Sequence, residues 1–91
     1  MKVYLVGDNG PEHDSLIAIY LDKSKALKAF QRHRSELLKH IKEMLEFSKK
    51  EGGYGDEMYL KMISNLSETD PDKIDNYPHD TPYLKKMEVI K

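Results

Sequence analysis

From Asp22 to Glu51 the chain carries apolar residues at helical spacing, with no proline or glycine to interrupt them. Leu27, Phe30, Leu37, Leu38, Ile41, Met44 and Leu45 fall on one side of a 3.6-residue wheel, with Ala26 at the edge. Lys28, Arg32, Glu36, Lys39, Glu43, Glu46 and Lys50 take the opposite side. Asp22 suits the N-cap, with Ser24 competing, and Gly52-Gly53 stops the helix. Arg32/Glu36, Lys39/Glu43, Lys42/Glu46 and Glu46/Lys50 stand at helical pair spacing. Such a helix is about 42 Å long at 1.5 Å per residue. Strands of six residues span only about 20 Å. No sheet of that size covers the whole stripe, so its second half needs another partner or a kink.

The flanking segments supply the sheet and that second partner. KVYLV, residues 2–6, reads as a strand. Asn9-Gly10-Pro11 is turn chemistry. SLIAIYL, residues 15–21, is a second strand, apolar on both faces, which calls for cover on both sides. After the glycines, Asp56 is placed as cap of a helix over 57–67, folded back on the overhang of the long helix. Tyr83 to Ile90 reads as a third strand, set beside the first. The expectation is one small α+β domain over 1–91, β-β-α-α-β, with a three-stranded antiparallel sheet and both helices on one face. The connection over 67–82, with Pro71, Pro78 and Pro82, is long for a compact domain.

Composition limits the chemistry. The chain has 91 residues, 38% hydrophobic and 34% charged, so its core is thin. The absence of cysteine excludes disulfides, thiolate zinc sites and a Cys nucleophile, and favours a cytoplasmic setting. MKVYLVGDNG is too short an apolar run for a signal peptide, and no run approaches a membrane span. Net charge is −1, but residues 22–42 carry a local +5 and residues 67–80 a local −4.

KVYLV, a polar loop, IAIYLDKSKALKAF and then a long charged helix together resemble small uncharacterised proteins of phages and their bacterial hosts. The resemblance covers about a third of the chain and contains no catalytic motif, so it transfers no residue roles. It implies a viral or bacterial accessory protein that works by binding, in the bacterial cytoplasm or an infected host cell.

Each candidate site has a plainer reading beside it. Asp8, Glu12, His13 and Asp14 in VGDNGPEHDS have metal-ligand chemistry, but no ligand ladder runs on to a glutamate at the twelfth position. A polar hairpin tip is the simpler account. His33 and His40 lie two helical turns apart, about 10 Å, too far to share a metal. His79-Asp80 has no activated nucleophile beside it. No phosphate-binding motif is present. Metal, cofactor and catalytic residues are therefore expected to be none. Arg34 falls within the apolar stripe, and the acidic 67–80 segment is its expected partner.

A non-enzymatic protein that binds and modulates or inhibits a protein target is the leading expectation. Asp70, Asp72, Asp75, Tyr77, Glu12 and His13 are the candidates for target contact, the aspartates by mimicking phosphate charge. Tyr4, Val6, Ile17 and Ile19 are candidates for an apolar face that forms a homodimer, unless the 67–82 loop covers it. One alternative is nucleic-acid binding through Lys25, Lys28, Arg32 and Lys39. Another is a ligand- or metal-dependent protein using loop His and Asp residues. Membrane association is not expected.

Overall fold

In the computed structural model, residues 1–9, 14–75 and 81–90 are described. The long helix, α1, runs Lys23–Lys50 without a kink assigned along it. Asp22 caps it, its carboxylate accepting the Ser24 N–H at 2.8 Å. At the other end the Gly53 N–H reaches the Ser48 carbonyl at 2.8 Å, and Gly52 and Gly53 take φ of 105° and 78°. This is a Schellman stop, and the positive φ explains the glycine pair. Of its charged residues, Glu46 reaches Lys49 at 3.9 Å rather than Lys42 or Lys50.

The second helix, α2, spans Asp56–Leu66, and its N-cap is Gly55 rather than Asp56. The Gly55 N–H donates to Ser48 Oγ at 3.1 Å, so α1 itself fixes the turn. A Cβ on Gly55 would lie 2.9 Å from the Tyr59 ring, and a larger residue would displace that contact. Asp56 is the first helical residue instead. Its Oδ1 is buried with no hydrogen-bond partner, at a helix end whose dipole favours a negative charge.

Strands β1 (Lys2–Asn9), β2 (Asp14–Tyr20) and β3 (Thr81–Glu88) form an antiparallel sheet in the order β2-β1-β3. The protein is mixed α+β in the expected order β-β-α-α-β. β3 begins at Thr81, two residues before the expected start, and includes Pro82. An edge strand tolerates a missing N–H. Pro71–Lys73 forms a 3₁₀ turn within the long connection.

Two separate cores hang on α1. Val6, Ala26 and Phe30 form the first, joined by Tyr4, Tyr20, Ala29, Ile74 and Leu84. Ala26 is wholly buried and Leu27 is at the edge, the reverse of the expected stripe. The small side chain lies where the helix meets the sheet. Ile41, Met62 and Leu66 form the second core, with Leu37, Leu38, Tyr59 and Ile63 against it. The overhang of α1 is thus covered by α2, and the molecule extends 55 × 24 × 19 Å.

Arg34 stands between the two cores, and among the described residues its partner is not an acid. Its Nη1 donates to the Leu66 carbonyl at 2.8 Å and its Nε to Gln31 Oε1 at 2.8 Å. Gln31 Nε2 in turn donates to the Thr69 carbonyl at 2.7 Å. The guanidinium therefore satisfies a helix C-terminal carbonyl, where a cation also suits the dipole. Carboxylate pairing with the acidic segment is replaced by backbone capping.

Candidate interaction surface

In the sheet, residues directly opposite one another share a face. Tyr4 pairs with Tyr20 and Lys86, and Val6 with Ala18 and Leu84. These belong to the face packed on α1, so Tyr4 and Val6 are core residues rather than open-face residues. The expected apolar face is corrected accordingly. Ile17 moves as well. The β1–β2 register shifts between Val6 and Gly7, and Ile17 is the extra residue of this bulge. It lines a cavity of about 160 Å³ on the helix side with Val6, Ala18, Arg32 and His33. Of the four candidates, Ile19 alone lies on the open face.

That face is nevertheless apolar. Leu5 pairs with Ile19 and Lys85, Gly7 with Leu16 and Tyr83, and Val3 with Met87. The Val89 N–H donates to the Met1 carbonyl at 2.7 Å and carries the β1–β3 pairing one step further. Leu16, Ile19 and Met87 are 52%, 58% and 52% exposed. No described helix packs there. Among the described residues this register places two formal charges on the face, Lys85 and, opposite Asn9, Asp14, and the Lys85 ammonium sits 4.4 Å from the Tyr83 ring centroid.

The polar candidates lie elsewhere. Lys25, Lys28, Arg32 and Lys39 are all exposed and fall on the side of α1 away from its cores. Asp70 is half-buried, and its carboxylate accepts the Asp72 N–H at 2.9 Å, capping the 3₁₀ turn. Asp72 and Asp75 are exposed. Asn65 clamps Asp75 through two bonds of 2.9 Å, one to its carbonyl and one from its N–H. Glu12, His13 and Tyr77 lie outside the described residues, as does His79-Asp80.

One polar pair was not foreseen. His33 Nε2 donates to Asp8 Oδ2 at 2.9 Å, with both side chains 18% exposed. Asp8 is on the helix side of β1, like Val6, and His33 lies one turn beyond Phe30. Twenty-five residues separate the two, so only the face assignment of β1 could have paired them. An oriented imidazole is half of a nucleophile-activating arrangement. Among the described residues His33 bonds only Asp8, and the pair reads as a tie between α1 and the end of β1. No three described His, Asp or Glu residues converge as a metal-ligand set. No family model, curated protein or solved structure matches the chain.

Proposed function

We propose that this is a non-enzymatic interaction protein that binds and modulates or inhibits a protein target by steric contact. One observation carries the reading. The sheet is covered by α1 on one side, and its other side presents Leu16, Ile19 and Met87 to solvent. Monomeric proteins seldom leave a contiguous apolar patch of more than a few hundred Å² exposed. The phage or bacterial accessory role rests on the resemblance of the first third of the chain. A cytoplasmic setting goes with that role, and no described helix is long and apolar enough to cross a membrane. Asp72 and Asp75 remain candidates for contact with a basic target. Capture from a bacterial lysate on immobilised wild type, Ile19→Glu and Leu60→Glu tests the face. Leu60 is an equally exposed apolar residue on α2 and serves as the control. A species lost only with Ile19→Glu is the expected result. Equal retention by all three sinks the reading.

The exposed cations of α1 favour a second reading, nucleic-acid binding. Lys25, Lys28, Arg32 and Lys39 span about 21 Å along the helix, enough for a few phosphates. Titration against DNA and RNA at two salt concentrations decides it. Binding that weakens with salt supports it, and absent binding removes it.

A further inference from the structure

We infer that the outer edge of β2 takes an extended segment of the target as a fourth strand, with one aliphatic side chain of that segment seated between β2 and α1. The inference rests on the reading of a protein target above and names the form in which that target is held.

The two edges of the sheet are built differently. β3 is one edge, and it carries Pro82, Lys85, Lys86 and Glu88. Proline withholds an N–H and charges resist burial, so such a strand discourages further pairing. β2 is the other edge, and from Leu16 to Tyr20 it holds neither a proline nor a charge. Among the described residues no strand lies beyond it, and its backbone bonds are those of the β1 pairing. Unpaired N–H and C=O groups along an apolar strand are a template for another strand. The bulge at Ile17 interrupts this edge, so the regular stretch is Ala18 to Tyr20 and the segment it holds is short.

α1 adds a second feature at the same edge. It packs more against β1 and β3 than against β2. The helix side of β2 is therefore left partly open, and Ile17 is 54% exposed although it lies on that side. The cavity of about 160 Å³ occupies this gap, with Val6, Ile17, Ala18 and Ala29 as apolar walls. Clefts for small molecules measure roughly 300–1,000 Å³, so this one is too small for such a ligand and suits a single side chain. Residues opposite one another on neighbouring strands share a face. A residue paired with Ala18 or Tyr20 from outside would therefore point into the gap. Arg32 and Glu36, both exposed, border it with opposite signs, which favours an uncharged occupant. The target is thus recognised as an extended, uncharged run with a branched aliphatic residue. Backbone pairing supplies the affinity and the cavity supplies the selectivity.

Selection of a phage-displayed library of random peptides, about eight residues long, on the full chain tests this. Enriched peptides should share a branched aliphatic residue in an uncharged run and bind at about 10–100 µM, as a small interface allows. Methylating each backbone nitrogen of one such peptide in turn reads the pairing. In an added strand alternate N–H groups face the edge, so a weakening of about tenfold should recur at every second residue. Ala29→Leu fills the cavity and should also weaken binding by about tenfold, while Leu60→Glu on α2 leaves it unchanged. Should Ala29→Leu fail to fold, the methylation pattern on the wild type still decides. No enriched peptide, or a weakening without the period of two, overturns the inference. A wild type that takes no peptide yet sediments as two chains at about 100 µM also overturns it, with a second copy as the occupant. If peptides fail while Ile19→Glu still loses its lysate species, the strand edge falls and the open-face reading above stands. Peptides that bind with the period of two, while all three baits retain every species, support the edge and leave the face without its target.

Discussion

Arg34 on α1 donates from Nη1 to the carbonyl of Leu66, the last residue of α2, at 2.8 Å. With Gln31 it holds the chain where it leaves the helical hairpin for the acidic segment. Replacing Arg34 with Met keeps much of the stem's packing and removes both bonds. A loss of about 1.5–3 kcal/mol is expected, as for hydrogen bonds from a charged group. Chemical denaturation measures it. A change within error would show that water satisfies the Leu66 carbonyl equally well.

The two cores should respond differently to truncation. Phe30 and Leu66 are both wholly buried, one against the sheet and one between the helices. Phe30→Ala should cost about 3–5 kcal/mol and approach the whole stability of a domain this size. Leu66→Ala should cost about 2–5 kcal/mol. In that variant, amide exchange should accelerate in α2 more than in β1. Uniform acceleration would mean that the cores unfold as one unit.

The Asp8–His33 bond ties α1 to the end of the central strand. A double-mutant cycle with Asp8→Asn and His33→Gln should give a coupling of about 0.5–1.5 kcal/mol. Additive effects would reduce the contact to mere proximity.

Gly53 has φ of 78°, and a Cβ there would lie 3.2 Å from Asp56 Oδ2. Gly53→Ala should cost about 1–2 kcal/mol. Adding Asp56→Ala removes the close contact and leaves the backbone cost, so the double variant should recover only part of the loss. Full recovery would place the whole penalty in the side chain. Thermal melts of the three proteins separate these outcomes.

Much of the fold was legible because local signals agreed with long-range ones. Asp22 and Gly52-Gly53 bracket α1 to within a residue, and the mismatch between its length and the strands correctly demanded α2. What failed was information that local pattern does not hold. A bulge at Ile17 shifts the register by one, which moves an odd-numbered residue to the helix side and breaks simple alternation. Arg34 in an apolar stripe signalled a buried charge, but a backbone carbonyl leaves no mark in the sequence. Asp56 looked like a cap, yet Ser48 fixes the turn one residue earlier from another helix. The open face was inferred from SLIAIYL, whereas Leu5, Tyr83 and Met87 join it only once the pairing is known.

Because one unbroken helix threads both cores, α1 is also a lever arm. Its 28 residues make a rod of about 42 Å, roughly half of it standing beyond the sheet. A tilt of about 5° where Phe30 meets the strands would sweep the far end by about 2.6 Å, carrying the exposed Phe47 and Tyr54 with it. A contact that tilted α1 at the sheet would therefore reposition a surface about 30 Å away without touching it.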